Sequence, residues 1–436
     1  MLPDPRLNRR MGTILEDLAN RPTDSIPQAA GNWGQAKATY RFLDNDRVTR
    51  ADLTAGAARD VARLCQDQPV VLVVQDTTSL NLTANQALAA LGPIASSACL
   101  ARGLFVHTTL AITPRGIVLG VLDQQFWARP LPGQPRPQEK ESGKWIEGVD
   151  QARQALFESG QRPPRLVHVM DREGDVYDVM QWIDDWGDGA IIRCAQDRCV
   201  EPPLQTAHAA VRDRPVLASK WMAVPRSHGC AARDAWVELR VLQVELKPDL
   251  EKYPHAWPMT WTLIEVWEPD PPQGTQALLW RLWDREPVTT AAEAWEEVRQ
   301  YTCRWPIEEF HLTLKSGCRI EELRLETWDR LTKAVTLYSL VAARVVSLRD
   351  WSRADPEAPA TVLLSEEESQ VLTARFSRGR PPSVLTLKQA VLWIGRLGGH
   401  LNRKADGMPG VRTLWRGLRD FGLLVEGYRV AKQLRE

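Results

Sequence analysis

Five consecutive aliphatic residues, Val70-Val71-Leu72-Val73-Val74, stand between Pro69 and Gln75-Asp76. A β-branched run this short, with no polar alternation, fits a strand covered on both faces, so the chain must supply a layer on each side of a sheet. The following segments meet that demand. Residues 103–112 and 116–126 read as strands flanking the turn Thr113-Pro-Arg-Gly116, which makes a three-strand meander. A helix over 144–159, a strand over 165–170 ending at Asp171, a helix near 176–186 and a strand over 190–194 follow. The order strand, strand, strand, helix, strand, helix, strand predicts an α/β core with one mixed sheet.

The flanks have a different texture. Asp4-Pro5 predicts a helix with Asp as N-cap and Pro at its first position, ending at Arg21-Pro22. Its Arg6, Arg9 and Arg10 share one face, either a phosphate-contacting stripe or a solvated surface. A second, mixed helical stretch is expected from Trp33 to Leu64. Residues 201–285 hold Trp- and Val-rich segments of period two and read as a β-rich insertion, after which helices resume from Thr290 to Asp350 and again from Ser383 onward. The expected units are thus 1–68 (helical, DNA-end-binding), 69–200 (first part of the core), 201–285 (β-rich insertion), 286–350 (second part of the core) and 351–436 (helical, dimerising).

Lys plus Arg and Asp plus Glu number 55 each, so overall charge gives no argument for nucleic-acid binding; from Gln370 onward, however, 13 Lys/Arg face 4 Asp/Glu. The seven cysteines form no Cys-x-x-Cys pair, which indicates neither a zinc ribbon nor a disulfide framework and points to a reducing compartment. No stretch is expected to reach the roughly 18 apolar residues of a membrane span, and the N-terminus has no apolar signal region. The expected location is the bacterial cytoplasm, on the nucleoid when DNA-bound. No Gly-x4-Gly-Lys-Ser/Thr segment indicates ATP use.

Asp76 and Asp171 each follow a buried strand, where α/β sheets place ligands. Two or three hard carboxylates with open positions suit Mg²⁺ or Mn²⁺; an Asp in such a place also serves commonly as a helix N-cap. The segment Tyr301-Thr-Cys-Arg-Trp-Pro-Ile-Glu-Glu-Phe-His-Leu-Thr-Leu-Lys315 adds more. On an ideal helix Tyr301, Arg304, Glu308 and Lys315 fall within an arc of about 60°, one carboxylate for an ion and two cations for phosphate oxygens. Glu309 is the second choice, and Pro306 falls inside this helix, where a kink or a new helix start must absorb it. His107, His168 and His311 read as structural.

Asp-Thr-Thr-Ser-Leu (76–80), Glu-Ser-Gly-Lys-Trp (141–145), Asp-Arg-Glu-Gly-Asp (171–175) and Tyr-x2-Arg-x3-Glu-x6-Lys (301–315) resemble the DDE transposases of bacterial cut-and-paste insertion sequences, those that cut through a DNA hairpin. The resemblance extends to Asp-Pro-Arg (4–6), Tyr-Arg-Phe (40–42) and Arg-Leu-Gly-Gly (396–399). It implies a ribonuclease-H-like catalytic core with a β-rich insertion and helical units at both ends. It implies, further, that Asp76, Asp171 and Glu308 are the catalytic triad and hold two Mg²⁺ or Mn²⁺ ions, about 3.5–4 Å apart in such sites.

By the same resemblance the substrates are double-stranded DNA, the element ends and a target, handled by a homodimer on DNA. Tyr301, Arg304 and Lys315 would hold phosphates, and Trp280, with Trp283 as fallback, would receive an unstacked base. Related proteins carry more chain before Asp-Pro-Arg, so the expectation is that a leading helix is either missing here or was never part of this chain. Two other functions compete: a non-catalytic DNA-binding regulator that dimerises with a longer transposase, and a nuclease of the same fold without strand transfer.

Overall fold

The computed structural model of the chain describes all residues except 1, 3, 86, 96–100, 132, 135–140, 158–162, 202–204, 225–231, 378, 380–381, 404–405 and 435–436; Cys99 and Cys230 lie outside the described residues. Helix α1 (Pro5–Asn20) begins as its sequence predicts, with Asp4 accepting from the Arg6 N–H at 2.8 Å. The single stretch expected from Trp33 to Leu64 is instead two helices, α3 (Trp33–Leu43) after a short α2 (Ile26–Ala29), and α4 (Arg50–Cys65). Asp44-Asn45-Asp46 separates them, residues whose side chains compete for backbone hydrogen bonds, and Thr49 caps the new start.

The core strands are β1 (Val70–Asn81), β2 (Arg102–Ile112), β3 (Val118–Trp127), β4 (Arg165–Met170) and β5 (Gly189–Arg193). They lie side by side in the order β3-β2-β1-β4-β5, the first three antiparallel and β1, β4 and β5 parallel. Helix α5 (Gly143–Phe157) leads into β4, and α6 (Tyr177–Trp186) connects β4 to β5. Alternation along β1 sends Leu72 and Val74 to one face, and Val71 and Val73 to the other, where α4 and α5 cover them.

After α7 (Ala207–Arg212) come β6 (Ala218–Val224), β7 (Arg233–Leu246), β8 (Met259–Trp267) and β9 (Leu279–Asp284). These strands extend the core sheet, because β9 pairs antiparallel with β5 through Leu282↔Arg193 and Asp284↔Ile191. The chain then forms α8 (Ala291–Thr302), α9 (Trp305–Leu312), α10 (Trp328–Ala354), α11 (Glu366–Phe376), α12 (Leu387–Leu397) and α13 (Val411–Gln433).

Helix α10 corrects one expectation, being long and apolar enough to cross a membrane by length and composition. It is buried for most of its length against the Leu72/Val74 face and the C-terminal helices, so it is apolar all round for the sake of a protein core. Lys333 on this helix is also buried; its Nζ donates to the carbonyls of Leu43 at 3.1 Å and Asn45 at 3.3 Å and ties the end of α3 to the core.

Candidate active site

Strands β1 and β4 run parallel with Val74 opposite Val169. Two residues further along each chain stand Asp76 and Asp171, level with one another and on the Leu72/Val74 face. Asp76 does not follow its strand, as expected, but lies within it, because β1 continues to Asn81 on hydrogen bonds to β2 alone. What ends there is β4, and the strand it no longer covers leaves Asp76 at an open step in the sheet. Asp171 is an N-cap: its side chain accepts from the Glu173 N–H at 2.8 Å and starts the short turn Arg172–Gly174.

The expected single helix face for Tyr301, Arg304, Glu308 and Lys315 is not what forms. Helix α8 ends at Thr302, α9 begins at Trp305, and Lys315 sits in a π-helical turn, Thr313–Gly317. Pro306 causes no kink, since in the first turn of α9 its missing N–H has no partner to lose. Arg304, at the junction, reaches both acids: its Nη1 is 3.5 Å from Asp76 Oδ2 and its Nη2 bonds Glu308. Glu309 points elsewhere, 3.2 Å from Arg349, which also binds Asp350, so Glu308 is the acid on the Asp76 side.

Burial raises the Asp76 carboxyl to about 7; Arg304 draws it down, while Asp171 and Glu308 push it up. Burial likewise raises Asp171. The Lys315 ammonium is lowered by burial, against the pull of Glu321 and Asp76. Burial would also lower Arg304, but Tyr301, Asp76 and Glu308 raise it. Three acids and two cations therefore share one half-buried space.

Trp280 on β9 meets the Tyr301 ring edge to face at 5.8 Å and remains partly exposed. Trp283 is fully buried on the other face of the sheet, among Trp261 and Leu263, and is a core residue. Arg6, Arg9 and Arg10 lie far along the chain on α1. Arg6 folds back on Asp4 at 3.1 Å and Arg10 donates to Gln35, whereas Arg9 is exposed.

Three residues lie near the site that the sequence did not place there. His311 Nδ1 is 3.8 Å from Asp76 Oδ2; burial, with Lys315 and Arg304 nearby, takes this imidazole down to about 3. Its position one turn beyond Glu308 was the available signal. Lys144, within the quoted Glu-Ser-Gly-Lys-Trp segment, pairs with Glu173 at 3.2 Å. Arg193 lies 5.4 Å from the Trp280 ring centre, and nothing local in the sequence marks it.

Among the described residues no three His, Cys, Asp or Glu side chains are placed to hold a metal ion together. The donors are of the right kind for a hard divalent ion, and Asp76 and Asp171 are level with one another; Glu308 is engaged by Arg304.

Residues 1–48 match a family model described as transposase DNA-binding, and residues 340–436 match one described as the transposase Tn5 dimerisation domain. Asp76, Asp171 and Glu308 lie between the two matched segments. Together the two matches support a transposase of the Tn5 type, a protein that binds DNA and forms homodimers.

Proposed function

We propose that the chain is a DDE transposase that cleaves the ends of a mobile element and joins them to target DNA by metal-dependent phosphoryl transfer, through a hairpin intermediate. The observation that carries this reading is the meeting of Asp76 in β1 and Asp171 just past the end of the parallel strand β4 with Arg304, which precedes α9, and Glu308 in its first turn. The strand order β3-β2-β1-β4-β5 supports a ribonuclease-H-like core.

Asp76 and Asp171 would hold Mg²⁺ or Mn²⁺, and Glu308 would join them on release from Arg304. When bound, two such ions supply activation of the attacking oxygen and charge stabilisation of the leaving one. The protein's own groups do the rest. Arg304, exchanging its carboxylate partners for phosphate oxygens, and Lys315 neutralise the backbone of a distorted DNA end. Tyr301 holds the Trp280 ring edge-on, which leaves a partly exposed aromatic surface for a base that has left the stack, as hairpin formation demands.

The test is incubation of the purified protein with DNA carrying the sequences that flank its gene on both sides, in Mg²⁺ or Mn²⁺, resolved on a denaturing gel. Hairpins and excised ends are expected from the wild type. Asp76→Ala, Asp171→Ala and Glu308→Ala should each abolish cleavage and leave DNA binding intact. Binding without cleavage by the wild type would instead identify a regulator, and nicking without hairpins or joined products a nuclease.

A further inference from the structure

Beyond Val74, strand β1 has β2 on one side only, so the backbone that carries Asp76 depends on what holds it from behind. Gln75 and Thr77, the two neighbours of Asp76, point to the opposite face. There His107, directly across from Thr77 on β2, touches both: its Nδ1 is 2.9 Å from Thr77 Oγ1 and its Nε2 is 2.9 Å from Gln75 Oε1. The Gln75 oxygen can only accept, so Nε2 carries the proton, and Nδ1 accepts from the Thr77 hydroxyl. One imidazole thus bridges residues i−1 and i+1 around Asp76.

The ring is itself seated by α5. Trp145 meets His107 edge to face at 4.7 Å, and both are buried. Gly148, one turn on, has no room for a side chain, because a Cβ there would stand 2.3 Å from Gln75 Oε1. The segment Glu-Ser-Gly-Lys-Trp (141–145) therefore leads into the helix that closes the back of the strand.

We infer that His107, Thr77 and Gln75, with Trp145 and Gly148 behind them, form a rear clamp that sets the direction of the Asp76 carboxylate for metal binding and cleavage. They are positioning residues, acting through Asp76, and the inference rests on the proposed role of Asp76. Burial and the nearby Lys144 hold His107 well below the usual histidine range, so the imidazole is neutral and the same two hydrogen bonds persist at neutral pH.

The test uses Thr77→Val, which keeps the volume and removes the hydroxyl, Gly148→Ala, which pushes Gln75 from the other side, and Thr77→Ser, which restores the hydroxyl. Mn²⁺ affinity of the DNA-free protein is read from the electron paramagnetic resonance of free Mn²⁺, beside single-turnover cleavage, DNA affinity and the urea midpoint. Thr77→Val, which leaves the buried Nδ1 unpaired, and Gly148→Ala, which crowds Gln75, are each expected to lower the urea midpoint while the protein stays folded in buffer, and there to weaken Mn²⁺ binding and slow cleavage about tenfold at unchanged DNA affinity; Thr77→Ser should restore binding and cleavage. Wild-type Mn²⁺ affinity and cleavage in folded Thr77→Val, or a loss that Thr77→Ser does not reverse, overturns the clamp alone. A wild type that neither binds Mn²⁺ nor cleaves overturns the role of Asp76 and the clamp with it.

Discussion

Asp76 carries its carboxylate into a space shared with Asp171 and Glu308, and Arg304 offsets only part of the cost. Burial raises its pKa in the folded protein from 3.8 to about 7. An acid raised in this way favours the folded state fully below about pH 4 and loses that contribution as pH rises through 7. The displacement is worth up to about 4 kcal/mol. Asp76→Asn should therefore raise the urea midpoint of the DNA- and metal-free protein at pH 8 and leave it nearly unchanged at pH 4. An equal effect at both values would show that the carboxylate is not held near neutrality. A site residue that costs stability in the empty protein is what a ligand-binding role predicts.

Between helices, a close approach lies where α12 meets α13. A Cβ on Gly417 would stand 1.9 Å from the Ile394 carbonyl oxygen, and one on Gly398 2.0 Å from that of Thr413, so the two helices touch backbone to backbone at reciprocal glycines. Gly399 then turns the chain with φ +93°. The Arg-Leu-Gly-Gly segment (396–399), part of the sequence resemblance, is thus a packing surface. Gly417→Ala should destabilise the protein by at least about 2 kcal/mol in a urea melt, since neither contact atom can move without its helix. Gly12→Ala, at an exposed position of α1 with nothing within 4 Å, should stabilise it by about 0.5–1 kcal/mol.

In the whole molecule the last turns of α13 leave an apolar stripe uncovered. Leu423, Val430 and Leu434 share one face and are 48%, 51% and 83% exposed. They fall within the segment that matches the Tn5 dimerisation domain. Val430→Glu should convert the dimer to a monomer in light scattering after gel filtration, with the midpoint of the monomer's own unfolding unchanged. A variant that remains dimeric would move the dimer contact elsewhere on the C-terminal helices.

The start of α1, the buried strand at Val70 and the helical end units were legible in the sequence because caps, breakers and periodicity act within a few residues. The same local reading ended β1 at Val74, since nothing nearby reveals that β2 alone carries the strand on to Asn81. It also placed Tyr301, Arg304, Glu308 and Lys315 on one ideal helix; they converge instead across a helix break and a π-helical turn. Spacing ranked Glu308 ahead of Glu309, and the resemblance ranked Trp280 ahead of Trp283, but neither gave the partners of the rejected residues. Arg349 on α10 engages Glu309, and the second core buries Trp283, which leaves Glu308 and Trp280 facing the site. Caps, breakers and periodicity mark most helices and strands and the residues able to do chemistry, but not where β1 ends or where the helices of 33–64 and 301–315 break; which side chains meet is set by packing between segments far apart in the chain, and no local pattern contains it.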